Sequence, residues 1–183
     1  MVSGEKMLAH ILSRQSDRGY SDKEVEKEKL DRILEAGRLA PSACNSQPWK
    51  FIVIDDPELK PKVAAAASAK ALGFNRFTDQ ADIFIVIVRE KSKPIARIGG
   101  TIKDKDYSQI DIGIAAENIC LQAEAEGLGT CMLGWFNEAE LKKLLKVPAN
   151  RRLELVITLG YPSKNKRAKS RLPFNDVVSY NRY

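Results

Sequence analysis

Six consecutive apolar residues, Ile83-Phe84-Ile85-Val86-Ile87-Val88, lie between the charges of Asp82 and Arg89, and no purely apolar stretch of this sequence is longer. A run of β-branched and aromatic side chains bounded in this way is the strongest strand signal in the chain. It is far short of the roughly 20 residues that a helix needs to cross a bilayer. The opening Met1-Val2-Ser3-Gly4-Glu5-Lys6 holds no apolar segment of signal-peptide type. The expectation is a soluble, cytoplasmic protein without a membrane partner.

Other segments carry signals of their own. Met7, Leu8, Ile11 and Leu12 predict a helix over Glu5 to Ser13. Ser21, with Glu24 three residues on, reads as a capping box opening a helix that ends before Pro41. Phe51 to Ile54 reads as a buried strand, Glu58 to Leu72 as an Ala-rich helix, and Tyr107 to Glu126 as a long helix. Small residues Gly113, Ala115, Ala116 and Ala123 suit that long helix to close approach by another. Thr130 to Leu133 and Leu153 to Leu159 read as strands, and Glu138 to Lys146 as a short helix closed by Pro148. Arg89 to Asp106 is polar, contains Pro94 and Gly99-Gly100, and reads as a long loop or lid. The 183 residues fit one domain, 1–183, with 161–183 as a tail lacking sustained periodicity.

Several chemistries are excluded early. Cys44, Cys120 and Cys131 are widely spaced and never form a C-x-x-C pair, so neither a disulfide framework nor a structural zinc site is indicated. His10 is the lone histidine, which removes an imidazole-rich metal site and leaves a hydrolytic triad dependent on one residue. If the chain is an enzyme, a bound cofactor supplies the chemistry. Gly127-Leu128-Gly129 lacks the third glycine of a dinucleotide fingerprint and sits at a helix end, so it is discounted as such a site.

The net charge is +6, and its placement is uneven. Lys164, Lys166, Arg167, Lys169, Arg171 and Arg182 face only Asp176 in the tail. Such a tail suits nucleic acid, one phosphorylated small molecule, or plain solvation. Arg14-Gln15-Ser16-Asp17-Arg18 offers two guanidinium groups and a hydroxyl; extended, it points Arg14, Ser16 and Arg18 the same way. It is suited to a phosphate with a second anionic centre, or is a polar interhelix loop. Ala40 to Trp49, stiffened by Pro41 and Pro48, is rich in small and amide residues that suit a flat polar heterocycle, or merely stops a helix before a strand. Cys44 has no evident base beside it and reads as a buried or incidental thiol, and Trp49 as core. Lys169-Ser170-Arg171 adds two further cations.

Taken in order, Arg14-x-Ser16-x-Arg18, Leu34-Glu35-Ala36-Gly37-Arg38-Leu39-Ala40-Pro41-Ser42, Asn45-x-Gln47-Pro48-Trp49, Gly127-Leu128-Gly129-Thr130 before Leu133-Gly134, and Lys169-x-Arg171 resemble the FMN-dependent nitroreductase family. The resemblance spans nearly the whole chain, and its most specific part runs from Ala40-Pro41-Ser42 to Gln47-Pro48-Trp49. It implies an α+β, three-layer fold with a mixed, largely antiparallel sheet flanked by helices. It also implies an obligate homodimer with FMN at the interface and a C-terminal arm wrapping the partner.

By the same resemblance, Arg14 and Ser16 hold the FMN phosphate and ribityl region, and Arg18 sits at the N1/O2 edge with Gln15 nearby. Pro41, Ser42, Ala43, Asn45 and Gln47 belong to the loop that approaches the isoalloxazine from the other subunit. Asn75 matches an amide that meets the flavin pyrimidine. Backbone groups of Leu133 and Gly134 face the N5/O4 edge, and Lys169 and Arg171 return to the phosphate. Trp135 and Phe136 line the substrate pocket or serve as core or dimer contacts. The implied activity passes hydride from NADH or NADPH through flavin N5 to nitroaromatic, quinone or similar acceptors by a ping-pong scheme. Rival readings are a family relative with a different acceptor, a non-catalytic FMN-binding or redox-sensing protein, and, weakest, a nucleic-acid-binding domain.

Overall fold

In the computed structural model, residues 3–68, 73–91 and 106–183 are described. Four strands, β1 (Trp49–Ile54), β2 (Ile83–Arg89), β3 (Gly129–Leu133) and β4 (Arg152–Gly160), form one sheet in the order β1-β2-β4-β3. All three pairings are antiparallel. The parallel component expected of a mixed sheet is confined to an isolated bridge between Ser16 and Thr130. A bulge between Ile87 and Val88 shifts the β2–β4 register.

The apolar run is explained by its central place, because a strand covered on both faces has no polar side. Phe84, Val86 and Val88 point into one core with Ile54, Val63, Ala64, Leu141 and Val156. Ile83, Ile85 and Ile87 point into the other with Leu30, Ile33, Ile112, Ile119 and Ile157. Helices α2 (Lys27–Arg38) and α4 (Tyr107–Ala125) cover this second face, while α3 (Lys60–Ala66) and α5 (Glu138–Leu144) cover the first. The result is the three-layer α+β arrangement.

Helix packing differs from the sequence expectation in one respect. Ala115, Ala116 and Ala123 are buried, but a side chain at Gly113 would meet nothing within 4 Å. The close approach is made by Gly37 of α2, where a Cβ would stand 2.7 Å from Ile119 Cγ1.

The capping box at Ser21 does not form. α2 starts at Lys27, with Glu26 at its N-cap and no side-chain cap bond. Tertiary bonds hold the preceding residues away from helix: Ser21 N–H donates to the Tyr161 carbonyl, and Val25 N–H donates to Asp82 Oδ2 at 2.7 Å. Most of the expected lid lies outside the described residues, as do residues 69–72 of the helix expected from Glu58 to Leu72, but the helix seen there, α3, already closes at Ala66 with Ala67 as its C-cap. Arg89 Nη1 donates to Asp106 Oδ2 at 2.5 Å.

Helix α1 (Gly4–Ser13) has no buried residue, and its apolar side chains Met7, Leu8, Ile11 and Leu12 are exposed. It rests on α4 through His10, whose Nε2 lies 2.8 Å from the Leu121 carbonyl oxygen. The tail carries one short helical turn, α6 (Phe174–Val177). Among the described residues no helix is long and apolar enough to cross a membrane.

Candidate functional site

Residues 14–18 leave α1 in extended form, pinned where Asp17 N–H donates to the Thr130 carbonyl at 2.8 Å. Their burial alternates as a strand requires: Gln15 and Asp17 are buried, Arg14 and Ser16 half-buried, and Arg18 exposed. Gln15 Nε2 donates to Asp17 Oδ1 at 2.7 Å, and its Oε1 accepts the Arg167 N–H at 3.1 Å. The Gln15 amide thus ties the segment to the tail. Burial pushes the Asp17 carboxyl above its ordinary range despite the Gln15 hydrogen bond. A Cβ at Gly129 would stand 2.7 Å from Asp17 Oδ2, so only glycine lets that carboxylate lie flat on β3.

The tail runs antiparallel to this segment and grips its main chain. Lys164 Nζ donates to the Arg18 carbonyl at 2.9 Å and Arg167 Nη2 to that of Ser16 at 2.9 Å. Lys166 Nζ donates to the Ser13 carbonyl and Lys169 Nζ to that of Ile11, each at 2.8 Å. Lys166 also pairs with Glu124. Tail cations are therefore engaged within the chain, where they fix the geometry of residues 11–18.

Between the two segments lies a cavity of about 260 Å³ lined by Arg14, Ser16, Arg18, Arg167, Lys169 and Arg171 together with Gln15, Ala168 and Ser170. Desolvation, and then the neighbouring charges of Arg14 and Arg171, hold the Lys169 amine below its usual range. Cations gathered around one cavity mark a place suited to an anion. Arg14 is steadied by Glu117 of α4, its Nε 3.1 Å from Glu117 Oε1. A larger cavity of about 480 Å³ lies elsewhere, bordered by Asp22, Glu24, Asp79 and Asp82, which is the wrong charge for a phosphate.

The proline-bounded loop does not line the cationic cavity. Pro41 and Gln47 are exposed, Ser42 and Ala43 half-buried, and Cys44, Asn45 and Gln47 adopt left-handed φ of 52°, 50° and 49°. The loop is tied internally: Gln47 N–H donates to Ser42 Oγ at 2.9 Å, and Gln47 Nε2 donates to Asn45 Oδ1 at 2.8 Å. Asp111 Oδ1 accepts the Ala43 N–H at 3.1 Å. Cys44, read from sequence as a buried or incidental thiol, is exposed. Cys120 and Cys131 are the buried thiols; burial pushes Cys120 up to about 12 and raises Cys131 as well, so neither is a ready thiolate. Trp49 is half-buried and packs at the edge of the second core.

A third group surrounds the end of β3. Leu133 is buried, while Gly134 is exposed and a Cβ there would meet no atom within 4 Å, leaving its backbone open to a flat ligand. Asn75, at φ 53°, donates through Nδ2 to the carbonyls of Ala67 at 3.0 Å and Trp135 at 3.1 Å. The amide expected at a flavin edge therefore also fastens its own loop to the turn after β3. Trp135 and Phe74 are exposed and packed together, ring centroids 5.7 Å apart, while Phe136 packs against the core.

Sequence reading missed Glu117, Arg167 as a cavity residue, and Asp111. Only Asp111 carried a visible signal, a carboxylate set among Ile110, Ile112 and Ile114. These donors fit FMN: a cationic cradle for its phosphate, an uncrowded glycine backbone, and a loop with exposed amides.

Known proteins share the fold and much of the sequence. A protein of Archaeoglobus fulgidus assigned as an NADH dehydrogenase/NAD(P)H nitroreductase is 34% identical over 166 residues, 88% of each chain. The solved FMN-dependent nitroreductase from Clostridium difficile superposes with a TM-score of 0.80 at 32% identity, covering 97% of this chain and all of that one. The NADPH:FMN oxidoreductase from Vibrio harveyi, solved with NAD+, gives 0.79 at 27% identity, covering 96% of this chain and 77% of that one. The sequence profile of the Nitroreductase family matches residues 11–161, from the end of α1 through β4, and with the shared fold this places the chain in the nitroreductase family.

Proposed function

We propose that this protein is an FMN-dependent oxidoreductase that takes reducing equivalents from NADH or NADPH and delivers them to nitroaromatic, quinone or similar electron-poor acceptors in a ping-pong scheme. The observation that carries this reading is the cavity where Arg14, Arg18, Arg167, Lys169 and Arg171 converge around space suited to a phosphate dianion. FMN, when bound, supplies the hydride-accepting and hydride-donating centre.

The chain's own residues supply binding and electrostatics. Arg14, Ser16, Lys169 and Arg171 hold the phosphate and ribityl region. Arg18, the exposed cation of the segment, faces the pyrimidine edge, where a fixed guanidinium favours the negative charge that accompanies reduction. The open Gly134 backbone orients the ring, and Leu133 beneath it keeps that turn anchored in the core. No side-chain base is required, in keeping with the single histidine, whose ring is bonded to the Leu121 carbonyl on α4. The exposed Phe74–Trp135 pair beside Gly134 offers an aromatic wall that supports a planar acceptor.

The reading includes a homodimer in which residues 41–47 of one copy meet the ring held by the other. Its support is the exposure of Met7, Leu8, Ile11 and Leu12 on α1, of Ile110 and Ile114 on α4, and of Leu172, Phe174 and Val177 on the arm. Exposed apolar side chains of this kind suit burial against a second copy.

The test is the visible spectrum of the purified protein, reconstituted with FMN and repeated after anaerobic NADH or NADPH. A flavin spectrum that bleaches with the nicotinamide and returns with a nitroaromatic or quinone supports the reading. A protein that binds no FMN overturns it, and a bound flavin that neither nucleotide reduces reassigns the chain as a non-catalytic flavin binder.

A further inference from the structure

Asp111 of α4 is 4% exposed, and its two oxygens differ. Oδ1 accepts the Ala43 N–H at 3.1 Å, while Oδ2 is buried with no hydrogen-bond partner among the described residues. A buried acceptor left unpaired is costly, so a carboxylate at this position needs a reason. An asparagine would make the same bond through Oδ1 and bury an unpaired amide NH2 in place of the bare oxygen.

The loop on the other side of that bond supplies the reason. Cys44, Asn45 and Gln47 all hold left-handed backbone without being glycine. Such conformations persist where the surroundings over-determine them. Bonds within residues 42–49 shape the loop, Asn45 N–H to the Ser42 carbonyl, Ser46 N–H to that of Ala43, Gln47 N–H to Ser42 Oγ, and Trp49 N–H to the Gln47 carbonyl, and at its end the Pro48 carbonyl accepts the Glu90 N–H at 3.0 Å. The bond to Asp111 ties the loop to a helix of the core, across 68 residues of sequence. A carboxylate is the stronger acceptor for that tether.

We propose that Asp111 is a positioning residue: through the Ala43 N–H it fixes the strained 42–47 loop in the form that meets the flavin ring, and it has no part in holding the phosphate. The inference rests on the proposed flavin site, but its mechanical half stands without it.

Wild type is compared with Asp111→Asn, Asp111→Ala and Ala43→Pro. Amide hydrogen exchange over peptides covering 42–47 reads the loop, and titrations with riboflavin and with inorganic phosphate read ring and anion binding separately. From the loss of one charge-assisted bond, Asp111→Ala is expected to speed exchange at the loop and raise the riboflavin Kd by about tenfold or more, with phosphate affinity within about twofold of wild type. Asp111→Asn falls between. Ala43→Pro removes the donor instead of the acceptor and is expected to reproduce the split, since Ser42 before it is already extended, at φ −149° and ψ 154°; it replaces Asp111→Ala should that variant fail to fold. Unchanged loop exchange on loss of either partner overturns the proposal. So does a phosphate Kd that rises as much as the riboflavin Kd. A wild-type protein that binds no riboflavin sinks the proposed function, and the exchange measurement then decides the tether alone.

Discussion

Glu117 on α4 reaches Arg14 at the end of α1 through Nε, at 3.1 Å, and so orients the guanidinium from behind. The contact uses the side nitrogen of the group, which directs the terminal fork toward the cavity shared with Lys169 and Arg171. Removing the cation and removing its support are expected to have different sizes. Arg14→Ala loses a charge-assisted bond of about 1.5–3 kcal/mol, raising the FMN Kd roughly 10- to 100-fold. Glu117→Gln loosens Arg14 without deleting it, and as a half-exposed pair contributes about 0–1 kcal/mol, so the FMN Kd rises by no more than about fivefold. Riboflavin, which has no phosphate, serves as the control; a loss of riboflavin binding equal to that of FMN in Arg14→Ala contradicts the phosphate role.

Arg18 is expected to behave differently from Arg14. Its side chain is exposed and is assigned to the ring edge. Arg18→Ala retains most FMN affinity but lowers the midpoint potential by roughly 20–40 mV, the two-electron equivalent of about 1–2 kcal/mol. Spectroelectrochemistry of the bound flavin measures this. An unchanged potential removes Arg18 from the redox site.

Gly129→Ala tests the bed on which Asp17 lies. The new methyl would fall 2.7–2.9 Å from three atoms of the Asp17 side chain. Overpacking of this kind costs about 1–3 kcal/mol. Because Asp17 holds Gln15 and Gln15 holds Arg167, the displacement also reaches the tail. Lower stability in denaturant together with weaker FMN binding is expected, and a neutral result places the carboxylate elsewhere.

Asp17 gives a pH dependence with a definite sign. Its folded-state pKa lies above the unfolded value near 3.8, so the folded protein holds the proton more tightly. The stability this contributes is complete below the unfolded pKa and is lost as pH rises through the folded one. Asp17→Asn keeps an acceptor for Gln15 and has no proton to lose. The stability of Asp17→Asn relative to wild type should therefore increase as pH is raised from about 4 and level off above the folded pKa. Denaturant unfolding of the two apoproteins across that range measures it; a difference that shrinks with rising pH reverses the assignment.

What the sequence disclosed was what local pattern encodes. The 83–88 run announced a strand through its β-branched and aromatic residues, and the structure covers both of its faces. The alternation of Arg14, Ser16 and Arg18 with Gln15 and Asp17 is a two-residue period and survives in the folded chain. What it concealed depends on distant partners. Ser21 has the look of a helix cap, but the bonds to Tyr161 and Asp82 outweigh a weak local preference. Glu117 and Asp111 matter because α4 lies against α1 and against the 42–47 loop, contacts that no spacing within either segment announces.

The grip of Lys164, Lys166, Arg167 and Lys169 falls on carbonyl oxygens, which every amino acid possesses. Mechanical fastening and ligand chemistry are thereby assigned to different atoms of residues 11–18. Substitutions at Arg14, Ser16 or Arg18 can retune what the stretch binds while the clasp stays shut, whereas mutating the fasteners themselves unlatches the stretch without altering a single one of its side chains.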